Sequence, residues 1–302
     1  MLSTVTNTSP SLLLPQYPKP SHFFVHISDT HLIASQSNLY DSEVNGDHTL
    51  IELLQELELS GSRPDAIIVT GDIADLGEPG AYEKVLKILN PVAERMNTEI
   101  IWIMGNHDSR PHFKNILLKQ DPSYEEVDQV HYFNGLRVIS LDTSVVGHHY
   151  GEVTQEQLEW LRNELNTPSE KGTILAMHHP PVPSVLDLAS AVELRDQKKL
   201  AEVIRGSDIK TIIGGHLHYS SSAMFAGIPV SVATSTCYTQ DLNVEVGGTR
   251  GRAGAQGFNL IHVYDETILH SVVPSGKYST VGQFVSSTET KEILNKLYNL
   301  NG

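Results

Sequence analysis

Seven side chains able to bind a metal ion stand directly after, or just beyond, short apolar runs. They are Asp29 and His31 in SDTH, Asp72 in TGD, Asn106 in GNHD, His178 in MHHP, and His216 and His218 in GGHLH. The set comprises two carboxylates, four imidazoles and one amide. One ion takes three or four such ligands, so seven, with one carboxylate shared, suit two. A pair of metal ions roughly 3.5–4 Å apart is a known device for hydrolysing phosphate esters.

Taken singly, the motifs carry little. Asp29-x-His31 lies where a strand gives way to a loop, and period two points both side chains the same way. Gly71-Asp72 is ordinary turn chemistry, but a carboxylate can give one oxygen to each of two ions, which makes Asp72 the natural bridge. Asn106 is more telling, because structural zinc sites are dominated by Cys and His. An oxygen-and-imidazole set suits manganese, iron or catalytic zinc. His107 is better placed as an acid that protonates a leaving oxygen. Asp108 is positioned to orient or electrostatically support that imidazole. His178 is preferred over its neighbour His179 because it is nearer the strand end, and Pro180-Pro181 stiffen the exit. Gly214 and Gly215 relax the backbone before His216 and permit close approach.

Positioning these groups requires strands that end together. Phe23–Ser28, Ala66–Thr70, Ile100–Met104, Thr173–Met177 and Thr211–Ile213 read as strands, and each ends at a candidate ligand. Arg137–Leu141 is a further strand, followed by Asp142. Between them lie helical patterns: Leu50–Leu59, Tyr82–Met96 with a kink or break expected near Pro91, a helix opened by a Thr154/Gln157 capping box, and Glu193–Arg205. Val230–Ala233, Phe258–Tyr264 and Thr267–Val273 are later strands, the last two flanking an Asp265-Glu266 hairpin turn. Apolar runs alternating with helices imply strands covered on both faces, with ligands at their carboxyl ends. The hairpin strands suggest a second, mixed or antiparallel sheet. The expected fold is α/β, a four-layer αββα sandwich of two mixed sheets flanked by helices, with a dinuclear site at the carboxyl rim.

Residues 1–20 read as a mobile Ser/Thr/Pro-rich tail, 21–285 as the main domain and 286–302 as a short helical tail. The net charge of −15 across 302 residues argues against a general nucleic-acid binder. Two divalent ions outweigh Asp29, Asp72 and a hydroxide, so the site itself would be slightly positive and fit for an anion. One cysteine, Cys237, rules out an internal disulfide. No apolar run approaches the ~20 residues of a membrane span, and the N-terminus is a poor signal peptide. A cytoplasmic location is the expectation.

In this order, the motifs resemble those of the calcineurin-like metallophosphoesterase superfamily. Longer strings (HISDTHL, TGDIADLGEP, LDTSVVGHHYGE, HHPPVPSVLD, GGHLHYS and ATSTCYTQDL) resemble bacterial class III cyclic-nucleotide phosphodiesterases. The likeness runs to about residue 285, beyond which some relatives carry a longer extension. It implies hydrolysis of cyclic AMP by in-line attack of a hydroxide bridging two metal ions (Mn, Fe or Zn), and relatives of this kind often form dimers. It also implies a partition: one metal with Asp29, His31, Asp72 and His218, the other with Asp72, Asn106, His178 and His216, and His107 as proton donor. Asn106, His107 and His218 would also meet the substrate, as would His148 or His149 beyond the Leu141-Asp142 strand end. The loop 236–257, with Arg250 and Arg252, could be a pocket flap, a dimer contact or merely mobile. A broad phosphodiesterase or phosphatase would share the metal core. A catalytically idle metal-binding regulator would not need His107.

Overall fold

The computed structural model describes residues 15–35, 38–42 and 44–299. The chain divides into two compact units, one of which is Pro20–Gly276. Most of the expected N-terminal tail lies outside the described residues.

Within Pro20–Gly276 the elements run β1 (His22–Ile27), α1 (Gly46–Leu59), β2 (Ala66–Thr70), α2 (Pro79–Met96), β3 (Glu99–Ile103), α3 (Arg110–Ile116), β4 (Gln129–Phe133) and β5 (Leu136–Leu141). They continue through α4 (Gln155–Leu165), β6 (Thr173–Met177), α5 (Asp187–Ser190), α6 (Gln197–Ile204), β7 (Ile209–Gly214), β8 (Ser221–Phe225) and β9 (Ile228–Val232). Two short strands, β10 (Thr239–Gln240) and β11 (Gly251–Arg252), precede β12 (Gly257–Val263) and β13 (Ile268–Pro274). The other unit, which takes in residues 277–302, holds helix α7 (Ser287–Asn299).

Two mixed sheets result, ordered β13-β12-β1-β2-β3 and β4-β5-β6-β7-β9-β8. In each the central strands are parallel and antiparallel strands lie towards an edge. Strand alternation feeds three apolar layers. Val25, Ile67 and Val69 face outward and pack with Leu50, Leu54 and Leu89 of α1 and α2. Phe24, Ile68, Ile174 and Ile213 meet between the sheets. Leu175, Met177 and Ile212 turn out to Leu158, Leu161 and Leu200 of α4 and α6. That is the four-layer sandwich of two mixed sheets expected from the strand and helix pattern.

The helix starts follow local chemistry. Asn45 caps α1 by accepting from the His48 N–H at 3.0 Å. At α4 the Gln157 N–H donates to Thr154 Oγ1 at 3.2 Å and the Thr154 N–H to Gln157 Oε1 at 2.9 Å, a complete capping box.

Four expectations need correction. Helix α2 runs unbroken through Pro91; its buried face (Val85, Leu89, Val92, Met96) outweighs one lost hydrogen bond. The Glu193–Arg205 helix begins only at Gln197, because Gly151 claims the preceding backbone: the Gly151 N–H donates to the Glu193 carbonyl and the Arg195 N–H to the Gly151 carbonyl. The late hairpin does not found the second sheet; β12 pairs antiparallel with β1 and extends the first. The loop 236–257 contains a small ribbon, Thr239 pairing with Arg252 and Gln240 with Gly251.

Candidate metal centre

Strands β1, β2, β3, β6 and β7 release Asp29, Asp72, Asn106, His178 and His216 from their carboxyl ends, and the turns beyond β1 and β7 add His31 and His218. All seven side chains converge. Five of them sit on left-handed backbone: φ is 53° at Asp29, 43° at His31, 49° at Asp72, 69° at His216 and 55° at His218. Such backbone is uncommon for residues other than glycine and gathers at functional sites. Asp29 and His31 therefore converge by tight turns and not by strand alternation.

Close approach of the loops depends on glycine. A Cβ on Gly215 would collide with Ser28 Oγ and Asp29 Oδ2, and one on Gly105 with the Asp72 backbone and carboxylate. Both positions must stay bare for neighbouring candidate ligands to lie side by side.

Each of the four imidazoles is held by one nitrogen and offers the other. His31 Nδ1 donates to Asp75 Oδ1 at 2.9 Å, His178 Nδ1 to the Thr70 carbonyl at 2.7 Å, and His218 Nδ1 to the Tyr238 carbonyl at 3.0 Å. His216 donates through Nε2 to the Val192 carbonyl at 3.0 Å, leaving Nδ1 as its lone-pair atom. Outward hydrogen bonds of this kind fix tautomer and ring orientation in metal-binding histidines.

The free atoms form two adjoining sets. Asp29, His31, Asp72 and His218 bring four buried donor atoms within 4.8 Å of one another. His31 Nε2 is 3.1 Å from His218 Nε2, and His218 Nε2 is 3.4 Å from Asp29 Oδ1. On the other side His178 Nε2 lies 3.2 Å from Asn106 Oδ1 and 3.2 Å from Asp72 Oδ2; the His216 ring stands 5.1 Å from that of His178. Asp72 Oδ2 is also 3.5 Å from His31 Nε2, so one oxygen faces both sets. The second oxygen, Oδ1, accepts from the His107 N–H at 2.9 Å. A bridge here would use a single oxygen, not one oxygen per ion.

Burial alone would push the Asp29 carboxyl up, but His218 and His178 override it and hold it at about 2. Burial opposes ionisation of Asp72 too, and His178 with His31 holds it well below the usual carboxylate range. Burial pushes His216 down to about 3, with His178 adding to the effect. Against burial, which lowers them, the same carboxylates push His178 up to about 9 and His218 well above its ordinary value; with those protons displaced by metal, two ionised carboxylates, an amide oxygen and four imidazoles fit two transition-metal ions.

His107 lines the same chamber of about 300 Å³. Its Nδ1 donates to the Asp75 carbonyl at 2.7 Å, which leaves Nε2 for the chamber. The Asp75 carboxylate stands 3.8 Å from the same Nδ1. Asp108, expected to support His107, does something else. Its carboxylate accepts from the Ile73, Ala74 and Gly105 N–H groups and from the Tyr82 hydroxyl. Three backbone donors draw it beneath the loops after β2 and β3, where it ties them together.

His149 belongs to the chamber: Asn106 Nδ2 donates to its Nδ1 at 3.0 Å. His148 lies instead against Tyr150, with ring centroids 4.8 Å apart and the planes tilted by 34°. His179 has both ring nitrogens engaged, by Thr143 Oγ1 and the His149 carbonyl, which favours His178 as the donor of the pair. Asp75 was missed from the sequence. It follows Asp72 by three residues, which is its one legible signal. The Val192 and Tyr238 carbonyls left no signal at all.

Among the described residues no helix is long and apolar enough to cross a membrane. The family model described as calcineurin-like phosphoesterase matches residues 24–220. A probable cyclic nucleotide phosphodiesterase of Rhodococcus erythropolis is 60% identical over 274 residues, 91% of this chain and 90% of that protein. A cAMP/cGMP dual specificity phosphodiesterase of Mycobacterium tuberculosis is 55% identical over 276 residues, 91% of this chain and 86% of that protein. In fold, the chain is similar to the crystal structure of a dimetal phosphatase from Danio rerio, with a TM-score of 0.61 at 14% identity over 84% of this chain and 96% of that one. With its motifs in sequence, its two-sheet fold and its extensive matches, the chain belongs to the calcineurin-like phosphoesterase family.

Proposed function

We propose that this protein hydrolyses 3′,5′-cyclic nucleotides, cyclic AMP among them, to 5′-nucleotides. The observation that carries the reading is the set of four imidazoles, each tied outward at one nitrogen and open to the chamber at the other. The relatives above, matched over most of their length, are named for this activity.

Asp29, His31, Asp72 and His218 would hold one ion, and Asp72, Asn106, His178 and His216 the other. Bound there, two ions would polarise the phosphoryl oxygens and lower the pKa of an attacking water. The protein's residues do the rest. His107, oriented by the Asp75 carbonyl, gives its proton to the departing sugar oxygen. An alkoxide is a poor leaving group, so the proton matters most for natural substrates. His149 and Asn106 form one side of the chamber and orient the phosphoryl group.

Residues 21–285 are taken as the catalytic domain and 286–302 as a short helical tail. The reading includes a cytoplasmic location and a homodimer, which fractionation and sedimentation would check. The central experiment is a substrate panel on protein of measured metal content: cyclic AMP, cyclic GMP, 2′,3′-cyclic nucleotides, linear diesters and phosphomonoesters. Highest kcat/KM on the 3′,5′-cyclic compounds is expected. A clear preference for monoesters or linear diesters would replace this reading with a general phosphatase or phosphodiesterase.

A further inference from the structure

The metal chamber adjoins a second cavity of about 590 Å³, within the roughly 300–1,000 Å³ common for small-molecule sites. The two share Leu188, Tyr238, Gln240 and Thr249 as lining residues. Tyr238 is the wall between them: its ring lies 4.5 Å from that of His218 and 5.7 Å, edge to face, from that of Tyr40.

We propose that this second cavity is the nucleobase subsite, with Tyr40 as its stacking face, Tyr238 as the wall that Tyr40 meets edge to face, and Gln240 as its hydrogen-bonding edge. The assignment rests on the reading above that a nucleotide is the substrate.

Three features carry it. The metal chamber is small and lined by the reacting groups, so a base attached to the phosphoryl group must project beyond it. Tyr40 is a fixed aromatic face. Its hydroxyl donates to Asp75 Oδ1 at 2.9 Å while 61% of the residue stays exposed, so the ring is anchored at one end and open along its length. Rings held in this way are stacking platforms for bases. Finally, Gln240 lines the cavity, and its Oε1 accepts from Thr249 Oγ1 at 3.2 Å, so its amide NH₂ is available to an edge of the base. An amide of this type can pair with the edge of a purine.

One other cavity, of about 190 Å³, touches the site through Asn106 and is lined by Arg110, Tyr124 and Ser144. It is smaller, and the Arg110 guanidinium is committed to Asp142 at 2.9 Å. The base is therefore assigned to the Tyr40 side. Arg250 and Arg252 also line the larger cavity, Arg250 paired with Asp241 and Arg252 4.0 Å from the same carboxylate. An occupant carrying a second phosphate would use them, whereas a neutral base leaves them peripheral.

The test compares adenosine 5′-monophosphate with ribose 5-phosphate, which lacks the base, by calorimetric binding to metal-loaded enzyme. Wild type is expected to bind the nucleotide at least tenfold more tightly. Tyr40→Leu should reduce that advantage about tenfold, whereas Tyr40→Phe, which keeps the ring but loses its anchor, and Gln240→Leu should each reduce it less. Tyr124→Leu, at the smaller cavity, should leave the advantage unchanged. In turnover, the ratio of kcat/KM for cyclic AMP to that for ribose 3′,5′-cyclic phosphate should fall in parallel. An unchanged advantage in Tyr40→Leu, or its loss in Tyr124→Leu, would overturn the assignment. Tighter binding of ribose 1,5-bisphosphate than of adenosine 5′-monophosphate, abolished by Arg250→Ala, would overturn it in favour of a second phosphate. Binding is read without turnover, so a wild type that prefers the nucleotide but leaves cyclic AMP intact refutes the activity and not the subsite.

Discussion

The Nε2 atoms of His31 and His218 stand 3.1 Å apart, while the Nδ1 of each donates to an oxygen, Asp75 Oδ1 for His31 and the Tyr238 carbonyl for His218. Two lone pairs facing each other repel unless a cation, metal or proton, lies between them. Asp29 and Asp72 complete the same pocket. Removing metal should therefore destabilise the fold as well as silence it. Treatment with chelator is expected to lower Tm by on the order of 10 °C relative to the metal-saturated protein, and manganese should restore it at two equivalents. Asn106→Ala should retain about one. An unchanged Tm after verified metal removal would count against this centre.

His107 lies beside the candidate ligands, its Nδ1 taken by the Asp75 carbonyl and its Nε2 left to the chamber, where an acid would stand. His107→Ala should keep both metal ions yet lower kcat on cyclic AMP by about 10²–10⁴. The loss on a nitrophenyl ester, whose leaving group needs no proton, should be much smaller. Equal losses on both substrates would remove His107 from the acid role.

Asp75 joins three groups. Its carboxylate receives His31 Nδ1 and the Tyr40 hydroxyl, and its carbonyl receives His107 Nδ1. Replacing a carboxylate that orients a metal-binding histidine typically costs 10–100-fold in metal affinity or activity. Asp75→Ala should lower affinity for one ion by about that factor, and Asp75→Asn, which keeps an acceptor oxygen, by less. Metal titration of both variants checks the order; equal affinities in Asp75→Ala and wild type would contradict it.

Asp128 offers a pH test away from the site. Burial pushes its carboxyl up to about 6, aided by the Asp142 and Glu126 carboxylates and opposed by hydrogen bonds from the Asp142 N–H and the Gln157 amide. The folded chain therefore binds more protons than the unfolded chain between about pH 4 and 6, and stability falls as pH rises through that window. Two units correspond to about 3 kcal/mol. Asp128→Asn should flatten this part of the profile. Urea unfolding of chelator-treated protein at several pH values gives the comparison, and parallel profiles would rule the contribution out.

What was legible in the sequence follows from burial. β2 and β6 are buried on both faces, and their continuous apolar runs marked both strands to the residue. Strand β4, partly exposed with the sequence QVHYF, and edge strand β8, SSAMF, present no such run and were missed. Candidate ligands were readable because side-chain type and strand-end position are both sequence properties. The groups that aim them were not. Asp75 gains its role from folding against His31 and Tyr40, and the Thr70, Val192 and Tyr238 carbonyls belong to backbone that every residue shares. Asp108 shows the converse: adjacency to His107 suggested a partner, and three N–H donors took the carboxylate elsewhere.

Strand β1, which leads into Asp29, lies between β2 and β12, and His22 pairs with Val263. A ribosome making this protein releases β1 long before its partner. At roughly 5–20 residues per second, the nascent chain carries an open strand edge for on the order of ten seconds or more. During that interval β2 and β3 can dock, but the first sheet is incomplete beside the residue that starts the metal centre. Assembly of the site is therefore a late event in synthesis. Slowing translation through the segment before β12 would prolong exposure of an aggregation-prone edge, while leaving the finished protein unchanged.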